Sequence, residues 1–240
     1  MAATLGALTL SFIAGWLVNL MADSIPTRLP LQQSWYWPFA QVRRVFVGQG
    51  VLLEEELMEL PPPRRYLLVW GMALLLGYSA YGSYGWRIEA LVIALQAWFF
   101  LAIAVIDLEH RLVLNRMLLI AMPCILLLNL AVGLATITSA LLGAMTGFGF
   151  FLLLAILSPG GMGMGDVKLA GLIGLTTGLS NVMVALFIGI LTGGIAGATL
   201  LIRNRFRRGQ TMAYAPYLVM GAWFVLYDVA NLLHSYLELL

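Results

Sequence analysis

The chain has 240 residues, of which 62% are hydrophobic and only 10% charged, with a formal net charge of +2. A soluble domain of this size needs a polar shell, so this composition excludes an ordinary soluble globular protein and indicates a polytopic membrane protein. The single cysteine, Cys124, excludes a disulfide framework and a zinc site built from cysteines. We therefore predict an all-α fold of transmembrane helices, with the lipid bilayer as a main partner and no nucleic-acid partner.

The first apolar segment, residues 2–22, carries no charge and is long enough to span about 30 Å of hydrocarbon as a helix. It has no basic start and no small-residue cleavage site, so we expect a retained transmembrane helix and not a signal peptide. The polar residues 23–65 follow, with five arginines, four glutamates and three consecutive prolines. We predict a short cytosolic segment over residues 23–65 and a membrane-embedded core over residues 66–240.

Seven further apolar segments bring the predicted number of transmembrane helices to eight. They cover residues 66–82, 88–107, 115–133, 136–157, 167–179, 181–202 and 212–237. In this arrangement every Lys and Arg except Arg87 falls on one face of the membrane. Positively charged loops stay in the cytoplasm, so this face is predicted to be cytosolic and both chain ends to lie outside.

Two acidic residues end up at the cytosolic ends of predicted helices. Asp107 closes the run LVIALQAWFFLAIAVID, and Asp166 precedes the short sixth segment within SPGGMGMGDVKLAG. Ionisable groups beside membrane spans are costly and are candidates for function. Two carboxyl groups in one cavity can share a proton, so that the ionised one activates water while the protonated one polarises a peptide carbonyl. The pair predicts general acid–base hydrolysis without a metal ion or a covalent intermediate.

The glycines before Asp166 have a suggested role in this chemistry. Gly163 and Gly165 lack Cβ atoms, so we expect the backbone to bend sharply and an extended substrate to come close to Asp166. The simpler interpretation is that each aspartate caps a helix or forms a surface ion pair. Other hydrolase chemistries lack their motifs, because the chain has no His-Glu-x-x-His helix and no Gly-x-Ser-x-Gly turn.

Four ordered motifs resemble those of the prepilin peptidases, the type IV leader peptidases, which are polytopic aspartic proteases. GGMGMGDVKLAG resembles the family's Gly-x-Gly-Asp signature, and AVIDLEHRLVLNRM resembles its first aspartate motif. GWLVNLMADSIPTRLP and AYAPYLVMGAW are similar to its opening and last-span motifs. The matching positions outside the Gly-x-Gly-Asp signature are Gly15, Asn19, Arg28, Leu29, Pro30, Ile106, Asp107, Glu109, Asn115, Pro216, Tyr217, Leu218 and Gly221.

The resemblance implies that Asp107 and Asp166 are the catalytic pair. It also implies that the site is shaped, or substrate bound, by Gly163, Gly165, Lys168 and Glu109. The substrate would be a prepilin or pseudopilin, cut at the cytosolic face of a bacterial inner membrane after a basic leader ending in glycine. Its apolar helix would stay in the bilayer beside the enzyme.

Cofactor needs follow from the same resemblance. The peptidase reaction needs none, and S-adenosylmethionine would be needed only if this chain also N-methylates the new N-terminus, as family members can. Many members carry two Cys-x-x-Cys pairs after the first span, which are typical of a zinc site. Residues 23–65 contain no cysteine, so we predict no metal there.

Two other functions stay open on the sequence. A small transporter could use a glycine-broken helix and membrane acids to bind a cation or a proton-coupled solute. A structural assembly subunit could use both aspartates only as helix caps. The lack of an evident internal repeat and the cytosolic position of both acids count against the transporter.

Overall fold

The fold was analysed in a computed structural model, which describes residues 2–27, 63–158, 162–202 and 212–227. Every regular element in these ranges is an α-helix, which confirms the predicted all-α class. The helices are α1 Ala2–Thr27, α2 Pro63–Tyr84, α3 Ile88–His110, α4 Asn115–Ala131, α5 Ile137–Leu157, α6 Met164–Ile202 and α7 Ala215–Leu226. Most of the predicted cytosolic segment and the end of the last predicted span lie outside the described residues.

Four helices among the described residues are long and apolar enough to cross a membrane. They are Thr4–Asp23, Ile88–His110, Ile137–Leu157 and Met164–Thr199. Helices α4 and α7 are apolar but have only 17 and 12 residues. A membrane protein is therefore supported, whereas the number of eight spans stays a prediction.

Helix α6 reverses direction at Gly178, whose backbone has φ 75° and ψ 174°. A Cβ atom placed on Gly147 of α5 would contact the Ala170 carbonyl oxygen and would lie 3.3 Å from Val182 Cγ2. In a straight helix those two residues would be about 18 Å apart. The residues on either side of Gly178 therefore form two antiparallel segments, called here arm A (residues 164–177) and arm B (residues 179–202). The break agrees with the predicted division between residues 179 and 181.

Glycine allows the helices around this hairpin to approach closely. A Cβ on Gly143 of α5 would overlap the Gly174 carbonyl oxygen of arm A. A Cβ on Gly189 of arm B would lie 3.0 Å from Leu218 Cα of α7, and one on Gly221 would overlap backbone of arm B. Small residues one turn apart permit such contacts between helices in lipid. The Gly-x-x-x-Gly spacing in this part of the chain therefore serves packing.

Helices α1, α2 and α3 form one group and helices α5 and α6 form another, and α4 and α7 connect the two groups. Helices α1, α2 and α3 pack together, and α5 and α7 both pack on α6. Helix α7 also contacts α3, and α4 contacts α6. Among the described residues, no Cα atom of α3 comes within 8 Å of a Cα atom of α6. The relative position of α3 and α6 is consequently set by the two helices between them.

The close approach of α5 to arm A can be tested with two alanine substitutions on α5. Both Gly143→Ala and Gly149→Ala gain helix propensity of about 1 kcal/mol. Only the Gly143 methyl meets backbone of arm A, since nothing lies within 4 Å of a Cβ on Gly149. We expect Gly143→Ala to be less stable than Gly149→Ala by about 1–3 kcal/mol, as for an overpacked core. Thermal unfolding in detergent measures this, and equal midpoints would contradict the packing described.

Candidate active site

Asp107 lies in the last turn of α3, after an apolar run that is almost entirely buried. The helix ends because Arg111 adopts a left-handed conformation, φ 52° and ψ 41°, and its N–H donates to the Asp107 carbonyl oxygen at 2.8 Å. A left-handed residue after the last turn is a common helix stop. Asp107 itself is only 4% exposed. The end of α3 thus holds a carboxyl group inside the protein.

The start of α7 binds the Asp107 side chain. The N–H of Ala215 donates to Asp107 Oδ2 at 3.0 Å, and the backbone of Tyr214 also hydrogen bonds to this carboxyl group. The first N–H groups of a helix have no partner within the helix, and a negative charge near them is favourable. Helix α7 therefore fixes the position of the Asp107 carboxyl group.

Asp166 lies in the first turn of arm A and is half-buried. Its N–H donates to the Gly163 carbonyl oxygen at 3.1 Å, and the backbone of Gly163 hydrogen bonds to its carboxyl group. The Asp166 carboxyl group is close enough to interact electrostatically with Asp107 and with Tyr214. The structure thus brings together the two acids that the sequence singled out, although they are far apart in the chain.

The two aspartates come from backbone segments that do not pack closely on each other. Since no Cα atoms of α3 and α6 lie within 8 Å, the backbones at Asp107 and Asp166 are further apart than that. Neither carboxyl group hydrogen bonds to the other in the described structure. A water molecule and a peptide carbonyl would have to lie between the two carboxyl groups for the predicted hydrolysis to take place.

The two glycines before Asp166 have different surroundings. A Cβ on Gly165 would lie 2.8 Å from the Cβ of Val113, in the connection between α3 and α4. Among the described residues, a Cβ on Gly163 would meet only Asp166 Oδ2, at 3.5 Å, and the Gly165 N–H group. Gly165 therefore permits packing of arm A against the protein itself, whereas Gly163 lies directly beside the Asp166 carboxyl group.

Lys168 and Glu109 make contacts within the protein. Lys168 Nζ donates to Asn115 Oδ1 at 2.9 Å, which joins arm A to the start of α4. Glu109 forms an ion pair with Arg65 of α2, with 2.7 Å between Glu109 Oε1 and Arg65 Nε. Both residues thus hold elements beside the two aspartates, and their role in shaping the site or binding substrate stays a prediction.

Arg65 joins three helices near Asp107, and the sequence analysis did not single it out. Besides Glu109 of α3, it binds Asp23 of α1, with 2.6 Å between Arg65 Nη1 and Asp23 Oδ1. The hydroxyl of Tyr66 donates to Asp23 Oδ2 at 3.1 Å. Arg65 and Asp23 are buried. The predicted topology already put both at cytosolic helix ends, but a pairing between residues 42 apart requires the fold.

Tyr214 was also missed, although its neighbour Pro216 was noted. Its ring contacts the ring of Phe151 on α5 and that of Tyr217. The only sequence signal for Tyr214 is its place just before a proline at the start of an apolar segment, which is typical of a helix N-terminus.

Among the described residues, no group of three or more His, Cys, Asp or Glu side chains could hold a metal ion.

Comparison with known proteins identifies relatives over the part of the chain that holds both aspartates. Residues 93–198 match the model of the type IV leader peptidase family. The prepilin leader peptidase/N-methyltransferase of Bacillus subtilis (strain 168) is 32% identical over 120 residues, which cover 50% of this chain and 48% of that protein. Proteins of the same name from Stutzerimonas stutzeri and Pseudomonas aeruginosa are 28% and 29% identical over 181 residues, 73% of this chain.

The chain spans between 48% and 62% of the length of these three relatives. No solved structure matches it. The family match nevertheless confirms the resemblance that the Gly-x-Gly-Asp signature and the first aspartate motif predicted.

The Arg65 cluster can be tested through stability. Arg65→Met leaves Asp23 and Glu109 without their guanidinium partner, and breaking a buried ion pair in this way costs about 3–5 kcal/mol. The matched control is Arg64→Met, because the neighbouring Arg64 is exposed. We expect a clear fall of the thermal midpoint in detergent for Arg65→Met and almost none for Arg64→Met. A midpoint for Arg65→Met like that of the control would show that the cluster contributes little.

The two glycines give a second matched pair. Gly165→Ala should force arm A away from Val113 and lower the thermal midpoint, because the added methyl group has no room. Gly163→Ala should leave the midpoint near that of the wild type, since its nearest contact is at ordinary van der Waals distance. Equal falls of the thermal midpoint in both variants would contradict the conclusion that a methyl group has less room at Gly165 than at Gly163.

Proposed function

Because residues 93–198 of the chain match the model of the type IV leader peptidase family, we propose that the protein is a membrane aspartic endopeptidase that removes the leader from prepilin-like substrates. The observation that carries the proposal is that Asp107 and Asp166, from two helices with no Cα atoms within 8 Å of each other, come close enough for their carboxyl groups to interact electrostatically. Both acids lie at helix ends, in a region that the family model covers.

The surroundings of the two aspartates suggest different roles. Asp107 accepts a hydrogen bond from the Ala215 N–H group at the start of α7, so one of its carboxyl oxygens is held in place as an acceptor. In the proposed mechanism Asp107 takes a proton from water as the water oxygen attacks the peptide carbonyl carbon. Asp166 gives its proton to the carbonyl oxygen. When the intermediate collapses, Asp107 passes its proton to the leaving amine, and Asp166 recovers a proton from the intermediate, so that both carboxyl groups return to their starting state.

The substrate and the location are proposed from the family and from charge. The named relatives are prepilin leader peptidases, and we propose a prepilin or pseudopilin as substrate of this chain. We further propose that the protein lies in a bacterial inner membrane with its site on the cytosolic face, because the basic loops flank the helix ends that carry Asp107 and Asp166.

A methyltransferase activity has less support than the peptidase activity from the described residues. The described residues form a cavity of about 280 Å³ whose lining contains one charged side chain, that of Arg87, and no acidic residue. S-adenosylmethionine carries a positive sulfonium, for which this lining offers no acidic partner and whose charge Arg87 would oppose. The cavity also lies at the start of α3, whereas Asp107 lies at its end. We therefore derive no methylation step, although the names of the relatives include N-methyltransferase.

The transporter alternative would use a broken helix to bind an ion through free backbone groups. At the break in α6, the N–H of Leu179 donates to Ser139 Oγ at 3.1 Å, and the carbonyl oxygen of Thr176 accepts from Asn129 Nδ2 at 3.2 Å. These groups are already hydrogen-bonded within the protein. The break therefore favours a structural role over ion binding.

Cleavage of a prepilin by the protein in membranes tests the proposal. We expect Asp107→Asn and Asp166→Asn each to slow the appearance of the shorter product by at least about 10²-fold, as for the loss of an acid or base group. Glu89→Gln is the control, because Glu89 is an acid at the opposite end of the same helix. Wild-type rates in either aspartate variant would refute the assignment, and solute flux without cleavage would favour a transporter.

A further inference from the structure

Three polar side chains form a hydrogen-bonded chain inside the apolar helix bundle. Gln96 of α3 donates through Nε2 to Asn129 Oδ1 at 2.5 Å, and Asn129 of α4 donates through Nδ2 to the Thr176 carbonyl oxygen of arm A. Gln96 is 2% exposed and Asn129 is 1% exposed. Polar groups buried among apolar helices are costly and rare, so their presence needs a physical reason.

Part of the reason is the reversal at Gly178. In a continuous helix, the Thr176 carbonyl would accept from the N–H four residues later, and the Leu179 N–H would donate to Leu175. The reversal takes these groups out of the helical pattern, and no water is available in hydrocarbon to bind them. Asn129 and Ser139 supply the missing partners from two other helices. However, Asn129 alone supplies the donor that the Thr176 carbonyl needs. The reversal at Gly178 therefore does not explain why Gln96 also hydrogen bonds to Asn129.

The position of Gln96 relative to the two aspartates gives a reason for its place in the hydrogen-bonded chain. Gln96 lies about three helical turns before Asp107 on α3, and Thr176 lies about three turns after Asp166 on arm A. The hydrogen-bonded chain therefore links a point on α3 to a point on arm A, and each point lies about three turns away from the aspartate of its own helix. Since α3 and α6 have no close backbone contact, this link acts together with the contact of α7 with both helices and with the contacts of Gly165 and Lys168 beside Asp166. It is the link among these that lies furthest from the carboxyl groups.

We propose that Asn129, together with Gln96, is a positioning residue that sets the separation of Asp107 and Asp166. The proposal rests on the peptidase function proposed above. It assigns Asn129 no contact with the substrate: the residue acts through α3 and arm A, and its loss lets the two segments shift relative to each other. The expected effect is on the chemical step, because acid–base catalysis depends on the distance between the reacting groups.

The first test compares Asn129→Leu with Thr177→Val in prepilin cleavage. Leucine is close in size to asparagine but cannot form either hydrogen bond. Thr177 is the matched control, since its hydroxyl binds only the Ile173 carbonyl of its own helix. We expect kcat to fall between about 10-fold and 100-fold in Asn129→Leu with KM nearly unchanged, and both to stay near wild type in Thr177→Val.

A rescue experiment separates positioning from general stability. The exchange Gln96→Asn with Asn129→Gln keeps two amides and their combined length, so it should recover much of the kcat lost in Asn129→Leu. If Asn129→Leu lowers the thermal midpoint, Gln96→Leu with Asn129→Leu takes its place, because this variant leaves no side-chain amide without a partner. A wild-type kcat in the leucine variants, or a loss that only follows stability, would overturn the proposal.

A distance measurement makes the test independent of peptidase activity. Leu108 and Met164 are exposed neighbours of the two aspartates, and spin labels on cysteines at these positions report the separation of α3 and arm A. The background is Cys124→Ser, which removes the only native cysteine. We expect the distance distribution to widen or shift in Asn129→Leu but not in Thr177→Val. If the distances behave so while the wild type cleaves no prepilin, the proposed function is wrong and the positioning role stands; unchanged distances refute that role.

Discussion

The structure depends on one constraint: backbone N–H and C=O groups at helix ends and breaks must find partners where water is scarce. At Gly178 these partners are side chains of Ser139 and Asn129. At the start of α7 the partner is the carboxyl group of Asp107. The same requirement therefore holds the hairpin of α6 together and fixes one of the two proposed catalytic groups.

The proposed site follows from how the helices are joined. Asp107 and Asp166 lie on helices without close backbone contact, so their separation is set by α4 and α7, which contact both parts of the protein. Close packing through Gly143 and Gly147 occurs between α5 and the two arms of α6. This packing holds arm A, which carries Asp166, firmly in place, as acid–base chemistry requires of its reacting groups.

Two cations join helices at the ends that the predicted topology places on the cytosolic side. Arg65 holds the ends of α1, α2 and α3 together through two carboxylates, while Lys168 joins arm A to α4. Both cations bind groups of the protein itself. In the part of the chain that the structure describes, the groups that hydrogen bond to the Asp107 carboxyl group are backbone groups at the start of α7 and not basic side chains.

The sequence by itself determined the helical class, the positions of most helices and the two aspartates, because apolar length and isolated acids are local features. Apolar length also predicted the division of α6 between residues 179 and 181, and the structure then showed that Gly178 makes the break with a positive φ. Only the tertiary structure decided that Gly165 packs against Val113, that Arg65 joins Asp23 to Glu109, and that Asn129 lies between Gln96 and Thr176. The physical reason is that each of these contacts joins residues far apart in the chain, and no local pattern specifies which of several buried polar groups will meet.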